Sequence, residues 1–526
     1  MDNSYWISSV KDNKKEYKKL QGEIETEIAI IGGGLTGLSC GYYLTKENRD
    51  VVILEKNTIC SHTSGNTTGK ITSGHGLFYN YLLQSEGRHK AKQYLEANEK
   101  AIENIAKIVE EENIKCDFER QDAYIFTQKQ EEVEKIEKEV EALEYLDFPC
   151  ELIKKIPLPI KNKEKESTEN YISIKKEVLA AIKYKNQAQF NPCLYAEGLA
   201  SKIEERKGKI FENTKVLDIK KNEYGYEIIT DEAKVKAKIV ILASHYPIIT
   251  FPGFYFMKMY QETSYLIGVE TNEPLFEGMY INTEEPTISL RTAQYGDKRL
   301  LLVGGMKHKT GAKIDLKDSY KKLEEVAKSL YPDCKVLYRW NTEDCISLDK
   351  IPYIGEFSNL MPNVYVATGY KKWGMTSSNI AANIITDKIL ERENNYEEVF
   401  NSTRLKPIKN HEELGNILKE VSYSLVINKL RNIEEYVKDV KQGEGKIIEI
   451  DGQKVGAYRN KKGELFLIKP YCSHLGCMLS WNNLDKTWDC PCHGSRFNYE
   501  GKQIYDPAIK DLEKVDINIK RKNNKK

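Results

Sequence analysis

The pattern of apolar positions predicts a βαβ unit near the start of the chain. Residues 24–31 (IETEIAII) alternate between polar and apolar and then become continuously apolar, which is typical of a buried strand. A glycine-rich turn and the stretch LTGLSCGYYL follow, and VVILEK at 51–56 predicts a second buried strand. The order of strand, turn, helix and strand is that of a βαβ unit.

The next three hundred residues mix helical and strand-like patterns. Within residues 84–147, a charged stretch with apolar residues at helical spacing predicts an amphipathic helix, and the apolar positions are Val133, Ile136, Val140 and Leu143. Strand-like alternation returns at 210–244, and residues 295–305 predict a hairpin strand. The strand VYVATG at 364–369 leads into the turn YKKWGMTSS and then the helix NIAANIITDKIL.

The chain changes texture again near residue 391. Residues 391–430 are polar, include Pro407 and end in a helical stretch, which is typical of a connector. Past Val437, short strands broken by glycine turns predict a β-rich domain. The predicted organisation is therefore a first domain over 24–395, a connector over 396–436, a second domain over 437–520 and a solvated tail over 521–526.

Length and charge exclude several classes of protein. A chain of 526 residues exceeds the usual single domain, so more than one domain is expected. A formal net charge of +1 provides no field to attract nucleic acid or an anionic membrane. The first twenty-three residues lack the apolar core of a secretory signal, and no run approaches eighteen apolar residues. We expect a cytoplasmic protein without a transmembrane segment, with peripheral association with a membrane redox partner left open and the oligomeric state undecided.

Glycine spacing predicts a dinucleotide site in the βαβ unit. Gly32, Gly34 and Gly37 form G-x-G-x-x-G directly after a strand, where they allow a tight turn, approach of a pyrophosphate and close helix packing. Glu55 ends the next strand, where a carboxylate accepts from ribose hydroxyls and disfavours a 2′-phosphate. A plain glycine turn is the alternative, and the two flanking strands favour the nucleotide site.

Further motifs distinguish FAD from NAD. The loop TSGNTTGKITSGHG at 63–76 is suited to wrapping phosphate and flavin by backbone contacts, although it also fits a plain surface loop. Together with IIGGGLTGLSCGYYL, LEK, VILAS and VYVATGYKKWGMTSS, it makes residues 24–395 resemble the D-amino-acid oxidase and glycine oxidase family of flavoproteins. The resemblance implies a Rossmann-like α/β FAD-binding domain of the glutathione-reductase type, with an interleaved α+β substrate domain.

The same resemblance implies the FAD contacts. Non-covalent FAD is expected, with substrate on the flavin ring opposite a mixed sheet. The expected cofactor-binding residues are Gly32, Gly34, Gly37, Glu55, Ser64, Gly65, Gly69, Gly369, Trp373, Gly374, Met375 and Thr376.

Two positions depart from the family pattern. Amine-oxidising relatives often have an arginine that holds the substrate carboxylate where this chain has Asp344, so a standard amino-acid oxidase is doubtful. Sarcosine-oxidising relatives bond the flavin through a cysteine where this chain has Thr342, so covalent flavin by that route is not expected. Cys345 is then a buried small residue rather than a flavin link.

The cysteine distribution indicates one local metal site. Seven of the eleven cysteines are scattered singly, and the other four lie within residues 472–492. There, C-x-H and C-x-C-H are separated by fifteen residues, and the boxes CSHLGC and CPCHGS resemble those of the Rieske [2Fe-2S] domain. A zinc site with two cysteines and two histidines is the alternative, which the neighbouring residues disfavour. The expected cluster ligands are Cys472, His474, Cys490 and His493.

The Rieske resemblance carries further implications. The additional cysteines, Cys477 and Cys492, correspond to those that form a disulfide between the cluster loops in Rieske proteins of quinol-oxidising complexes. Ser495 fits the position whose hydroxyl bonds a bridging sulfide. Phe497 stands where high-potential relatives have tyrosine, so a reduction potential below the highest Rieske values is expected.

Catalytic residues are the least defined part of the sequence. His75, His245, Lys307 and Asp344 are candidates because they lie in segments expected near the flavin, although structural roles are the commoner outcome for such residues. Asp344 and Asp349 are candidates for a cation-binding or proton-handling pair, with a cap or turn role for Asp349 as the alternative.

Joined in one chain, the two centres predict a converter of two-electron into one-electron transfer. The whole length resembles a group of bacterial FAD-dependent oxidoreductases with a C-terminal Rieske domain. The hypothesis is that a small-molecule donor, for example an amine, reduces FAD, and that electrons leave through His474 and His493, expected at the solvent edge, to an external acceptor or redox protein. Reverse flow stays open.

Two other functions also stay open. One is an oxygen-using amine oxidase with an accessory or sensor cluster, and the other is a non-enzymatic electron-transfer module that docks on a redox partner. A Rieske oxygenase is disfavoured because the chain has only eight histidines, of which the cluster takes two.

Overall fold

The structure is a computed structural model that describes residues 4–12, 14–160, 174, 177–404, 415 and 436–515. Most of the predicted connector, with its helical stretch, and the whole predicted tail lie outside these residues. The chain divides into two compact units, of which the first is Met1–His308 with Asp318–Pro407 and the second is Lys309–Lys317 with Ile408–Lys526.

The described residues contain the following elements. The helices are α1 (Tyr5–Val10), α2 (Leu35–Lys46), α3 (Tyr79–Glu111), α4 (Gln130–Tyr145), α5 (Pro192–Glu205), α6 (Ser319–Leu330), α7 (Gly374–Ile389) and α8 (Glu397–Phe400). The strands before the connector are β1 (Gly22–Ile31), β2 (Val51–Leu54), β3 (Lys70–Ile71), β4 (Glu119–Thr127), β5 (Glu151–Ile153), β6 (Ala180–Gln189), β7 (Lys209–Phe211), β8 (Val216–Lys221), β9 (Tyr226–Thr230), β10 (Ala233–Leu242), β11 (Met259–Glu270), β12 (Met279–Asn282), β13 (Ser289–Tyr295), β14 (Lys298–Lys309), β15 (Lys335–Ser347), β16 (Tyr353–Glu356) and β17 (Val364–Thr368). Those after it are β18 (Gly445–Ile450), β19 (Gln453–Arg459), β20 (Leu465–Ile468), β21 (Ser480–Asn482), β22 (Thr487–Asp489), β23 (Arg496–Asn498) and β24 (Gln503–Tyr505).

The first sheet of unit 1 is the predicted Rossmann-like layer. Its order is β16-β17-β10-β1-β2-β7, with parallel pairing from β17 to β7 and the hairpin β8–β9 attached to β10. Ile28 and Ile30 of β1 face one apolar cluster, whereas Ala29 and Ile31 face another. Burial on both faces explains why the end of this strand is continuously apolar.

The second sheet of unit 1 is mixed and larger. Its order is β15-β11-β14-β13-β12-β4-β6-β3, with β5 attached to β6. The pair β11–β15 is antiparallel along the full length of β11, and β12 pairs parallel with β4. The predicted helix around residues 133–143 is confirmed as α4, and the predicted strand at 295–305 is β14 in a hairpin with β13.

Two elements differ from the sequence prediction. The helix α7 begins at Gly374, within the segment predicted as a turn, because the small side chains there are buried and let the helix pack closely against α2. The helix α1 lies within the polar N-terminal segment, where no helix was predicted, and buries Tyr5 and Trp6. Six residues are too few for a clear periodic signal.

The second unit contains the predicted β-rich domain. The strands β18-β19-β20 form one antiparallel sheet and β21-β22-β23-β24 form another. Trp488 and Phe497 are fully buried at the centre of the second sheet. Among the described residues of the chain, no helix has both the length and the apolar character needed to cross a membrane.

A buried ion-pair network supports the second sheet. Arg496 is fully buried and donates from Nε to Asp489 at 2.9 Å and from Nη2 to Asp485 at 2.6 Å. Asn482 Nδ2 also donates to both carboxylates, at 3.1 Å each. Thr487 Oγ1 donates to Asp489 at 2.7 Å. The network therefore satisfies charges that burial would otherwise strongly destabilise.

We expect Arg496→Met to lower the free energy of unfolding of the second unit by about 3–5 kcal/mol, because it leaves two buried carboxylates without their cation. The measurement is guanidinium denaturation of the full-length holoprotein, followed by visible circular dichroism. The control is Lys469→Met, which removes a lysine paired with Glu513 on the surface and is expected to leave the midpoint unchanged. Equal midpoints for both variants would contradict the prediction.

Candidate functional site

Steric constraints at the first turn of β1–α2 require glycine. Gly32 has φ +112°, and a Cβ on it would lie 2.5 Å from the carbonyl oxygen of Ala243 at the end of β10. A Cβ on Gly37 would lie 1.9 Å from the Gly32 carbonyl oxygen. The N-terminus of α2 can therefore approach the strand closely, as the turn of a dinucleotide-binding site requires.

Glu55 lies directly after β2 and is buried. Its carboxylate accepts hydrogen bonds from the backbone nitrogens of Gly33 at 2.7 Å and Asn57 at 2.8 Å. The side chain therefore joins the glycine turn to the segment after β2. Its proposed contact with a ribose stays a prediction.

The loop at residues 63–69 packs against the same helix end. Ser64 Oγ accepts from the backbone nitrogen of Leu35, the first residue of α2, at 3.1 Å. Gly65 approaches the Cys60 carbonyl so closely that a Cβ would lie 2.0 Å from it. Gly69 has φ +70°. These contacts place the hydroxyl-rich loop beside the N-terminus of α2.

The N-terminal helix holds this loop in place. Ser4 Oγ donates to the Gly65 carbonyl, and Trp6 Nε1 donates to the Thr67 carbonyl at 2.7 Å. The Arg291 guanidinium lies 5.1 Å from the Trp6 ring and donates to the Gly69 carbonyl at 2.7 Å. Sequence reasoning missed this role. The only sequence signal is the aromatic pair in an otherwise polar segment.

The predicted turn after β17 approaches the loop from another element. Gly369 has φ +74°, and the Trp373 ring stacks on the His75 ring at 4.5 Å between centroids. Met375 is buried in the first turn of α7. Thr376 is buried, and its Oγ1 has no hydrogen-bond partner in the described part of the chain. Such an unsatisfied hydroxyl indicates room for a ligand.

The three candidate catalytic residues His75, His245 and Lys307 have different surroundings in the structure. His75 is buried, donates from Nε2 to the Thr72 carbonyl at 2.8 Å and accepts at Nδ1 from Tyr94 at 2.7 Å. Burial and the nearby Lys371 charge lower the pKa of His75 to about 3, so His75 is a neutral packing residue. His245 follows β10 with φ +66°, and Lys307 pairs with Glu285 at 2.8 Å.

Lys371 is a charged residue of this turn that sequence reasoning missed. Its ammonium lies 3.8 Å from the centroid of the Phe78 ring, and its backbone nitrogen donates to the Cys345 carbonyl at 3.0 Å. Burial, with the Lys350 charge, lowers the pKa of Lys371 to about 7. The Lys371 side chain in this turn can therefore gain or lose its proton near neutral pH.

The two aspartates of the predicted pair have different partners. Asp349 forms a bidentate pair with Arg404, at 2.6 Å to Nε and 2.9 Å to Nη2. It also accepts from the Ile351 backbone nitrogen, as in a turn. Asp344 instead lies directly opposite Glu262 across the pair β15–β11. The suggested pairing of Asp344 with Asp349 is therefore replaced by one with Glu262, which is remote in sequence.

Two loops of matching geometry hold the predicted cluster ligands. In the first, the Cys472 nitrogen donates to the Cys477 carbonyl at 2.8 Å, and the Gly476 nitrogen donates to the Cys472 carbonyl at 2.9 Å. In the second, the Cys490 nitrogen donates to the Ser495 carbonyl and the Gly494 nitrogen to the Cys490 carbonyl, at 2.8 and 2.9 Å. Both glycines have positive φ, which closes each loop tightly.

The imidazoles and thiols between these turns suit metal binding. The rings of His474 and His493 lie 5.1 Å apart, and burial lowers their pKa values to about 4 and 3. Both rings are therefore neutral, the form that binds a metal. Cys472 and Cys490 are buried, and hydrogen bonding to Cys490 lowers the pKa of Cys472. His474 is partly exposed, whereas His493 is buried, so only one imidazole matches the expected solvent edge.

A disulfide joins the two cluster loops. The structure contains the bond between Cys477 and Cys492 that the resemblance implied. The sulfur atoms of these residues and of Cys490 lie within 4.8 Å of one another, so the bridge adjoins a predicted ligand. Ser495 is buried, and its Oγ accepts from the Ala508 nitrogen at 3.0 Å.

A segment remote in sequence also belongs to the second unit. Gly311 has φ +79°, and a Cβ on it would lie 2.5 Å from the nitrogen of Pro491, between the second loop's cysteines. This close approach requires glycine. No feature of the local sequence around residues 309–317 indicates it.

Comparison with known families agrees with both sites. The family model described as FAD dependent oxidoreductase matches residues 27–388, and the Rieske [2Fe-2S] domain model matches residues 432–516. The chain belongs to the FAD dependent oxidoreductase family. It binds FAD in its first domain and a [2Fe-2S] cluster in its C-terminal Rieske domain.

Individual relatives share this organisation in whole or in part. A Bacillus subtilis protein named as a Rieske 2Fe-2S iron-sulfur protein, YhfW, is 36% identical over 98% of this chain and 97% of its own length. Gamma-glutamylputrescine oxidoreductase of Escherichia coli is 23% identical over 73% of this chain and 88% of its own. L-Proline dehydrogenase from P. horikoshii has a TM-score of 0.60 at 18% identity and covers 74% of this chain and 99% of its own, which shows the shared fold.

The residues present fit both cofactors of this FAD dependent oxidoreductase. The turn in which Gly37 packs against the Gly32 carbonyl fits a dinucleotide. The Thr376 hydroxyl, which has no hydrogen-bond partner among the described residues, fits a polar group of the cofactor. Two buried thiols and two neutral imidazoles on paired loops are of the types that would form the mixed ligand set of a Rieske cluster.

We expect Trp6→Phe to weaken FAD binding about fivefold or more, because it keeps the aromatic ring and removes a donor to the Thr67 carbonyl, worth about 1 kcal/mol. The measurement is the release of FAD fluorescence on dilution of the holoprotein. The same substitution at Trp481, in the second unit, is the control and is expected to leave FAD affinity unchanged. Equal FAD affinities for both variants would show that the indole bond does not hold the loop.

We expect the double variant Cys477→Ser and Cys492→Ser to lower the stability of the Rieske domain by about 3 kcal/mol, since the bridge closes a loop of 15 residues. Cluster loss in guanidinium, followed by visible circular dichroism, measures the effect. Cys150→Ser, at a free cysteine of unit 1, is the control. An unchanged midpoint in the double variant would rule out a stabilising role for the disulfide.

Proposed function

We propose that this protein oxidises an amine at its FAD domain and releases the electrons singly to an external acceptor through its Rieske domain. The observation that carries the proposal is the presence of an FAD-dependent oxidoreductase domain and a Rieske domain in one chain. FAD supplies two-electron hydride acceptance and a Rieske cluster supplies one-electron transfer, so their combination is that of a two-to-one electron converter.

The residues of unit 1 would provide binding and positioning rather than elaborate side-chain chemistry. The β1–α2 turn offers amides to the pyrophosphate, and the loop that Trp6 holds would line the flavin. The sheet pair β11–β15 and the turn at 369–376 would enclose the donor from the other side. In such a site the protein must hold the donor against the flavin and keep water away from the reacting atoms.

In the second unit, the ligand loops would hold the cluster and set its exit route. His474 is the partly exposed imidazole, so we propose it as the exit toward the acceptor. Phe497 places a ring without a hydroxyl in the buried sheet, which removes one hydrogen bond to sulfur and lowers the potential.

The electron balance identifies the acceptor by chemical class. An amine with a hydrogen on the reacting carbon loses two electrons and two protons to become an imine, which water hydrolyses to a carbonyl compound. Each amine therefore reduces two molecules of a one-electron acceptor. An amine-derived donor is supported by the Escherichia coli relative, whose name is gamma-glutamylputrescine oxidoreductase.

The test is an anaerobic titration of the full-length holoprotein with n-butylamine, recorded by visible absorbance and low-temperature electron paramagnetic resonance. We expect bleaching of the flavin absorbance and growth of a Rieske-type signal in the same sample. Added ferricytochrome c should be reduced, two molecules per amine consumed. Separate addition of dithionite establishes that both centres are present and reducible.

The variant Cys472→Ser separates the two halves of the proposal. Because it removes a cluster ligand, the amine should still bleach the flavin, while reduction of ferricytochrome c should fall at least about tenfold. Flavin bleaching with an oxidised cluster in the unsubstituted protein would favour the oxygen-using oxidase with an accessory cluster. Failure of amines to bleach the flavin, with success of a protein reductant, would favour an electron-transfer module.

A further inference from the structure

One face of the strand pair β11–β15 points toward the flavin-binding segments. Lys372 Nζ donates to Ser264 Oγ at 2.8 Å and pairs with Glu262 at 3.0 Å, so these alternate residues of β11 face the turn after β17. Thr342 and Asp344 lie directly opposite them on β15 and share this face. Four polar side chains therefore lie together on the face that meets the turn predicted to contact FAD.

The same face continues toward the loop at residues 63–69. Trp340 precedes Thr342 by two positions on β15, and its Nε1 donates to the carbonyl of Asn66 at 2.9 Å. Thr63 Oγ1 donates to the carbonyl of Glu343 at 3.0 Å. The polar face is thus bounded by the two segments expected to contact FAD.

Of the two carboxylates on this face, Glu262 forms a salt bridge with a lysine, whereas Asp344 forms none in the described part of the chain. Glu262 is paired with Lys372, whose ammonium is also held by Ser264. Asp344 is partly exposed, and within the described residues its carboxylate accepts no hydrogen bond. Burial, together with the Glu262 carboxylate, raises the pKa of Asp344 to about 6, against the opposing effect of Lys372. A cation placed here would relieve both effects.

A second observation independently indicates a ligand. Thr342 is 7% exposed, and its Oγ1 has no hydrogen-bond partner in the described parts of the chain. Buried hydroxyls are usually satisfied, so this one indicates a polar group that arrives from outside. Thr342 and Asp344 are two residues apart on β15, so their side chains lie on the same face of the sheet.

We propose that Asp344 and the Thr342 hydroxyl receive the positively charged nitrogen of the donor, so that the donor is an amine without a carboxylate beside its reacting carbon. An α-carboxylate would meet the Asp344 and Glu262 carboxylates, and Lys372 is already engaged by Glu262. This inference rests on the proposed oxidation of an amine and names the residues that select it. Asp344 binds the donor, and Thr342 orients it.

The test is binding to the oxidised full-length holoprotein, measured anaerobically in a stopped-flow instrument as the rapid perturbation of the flavin spectrum that precedes any bleaching by the amine. The probes are n-butylamine, glycine and acetate, which carry an ammonium, both charges and a carboxylate. We expect n-butylamine to bind at least about tenfold more tightly than glycine, and acetate to give no perturbation, because a charge-assisted hydrogen bond is worth about one to two powers of ten in affinity.

Three variants identify the residues. Asp344→Asn should weaken n-butylamine binding about tenfold or more, and Asp344→Arg should reverse the preference in favour of acetate. Thr342→Val preserves the shape of the side chain and should weaken n-butylamine binding severalfold. Flavin content per chain is measured in each variant, so that a misfolded protein is recognised.

Three results would overturn the inference. These are tighter binding of glycine or acetate than of n-butylamine, unchanged amine affinity in flavin-loaded Asp344→Asn, and no perturbation by any probe. Its failure is distinguishable from failure of the proposed function. Binding is read with oxidised flavin and needs no electron transfer, whereas dithionite reports the cluster without any donor.

Discussion

The close approach of α2 to β1 is the constraint on which the FAD domain depends. Because Gly37 has no side chain, the Gly32 carbonyl can lie where a Cβ would be, and the start of α2 packs directly against the end of β1. Ser64 then bonds the first residue of α2, which brings the hydroxyl-rich loop to the same place. A larger residue at Gly37 would separate these segments.

In the Rieske domain, hydrogen bonds, a disulfide and an ion-pair network hold the loops of the predicted site. Its predicted ligands lie on two short loops whose backbone hydrogen bonds repeat one pattern, and the disulfide between Cys477 and Cys492 joins the loops. Beneath the second loop, the Arg496 network rigidifies the strands that precede and follow it. A small domain with a limited apolar core benefits from such local crosslinks.

The cluster ligands and the glycine turn were predictable because their chemistry is encoded by residues near one another in sequence. The grouping of polar residues on β11 and β15 was not predictable in this way. Asp344 and Asp349 were candidates for a cation-binding or proton-handling pair, but Asp349 pairs with Arg404, and β-sheet register brings Glu262 to Asp344. The role of Trp6 was also missed, because its partner Thr67 is brought to it only by folding.

The sequence by itself determined that the chain has an FAD-dependent oxidoreductase domain and a Rieske domain, and it predicted the FAD-type turn and the cluster ligand set, since each depends on local spacing and on side chains with restricted chemistry. Only the tertiary structure decided which charges face one another, such as Glu262, Asp344 and Lys372. Contacts between distant segments follow from strand register and close packing. The local pattern of residues along the sequence specifies neither of them.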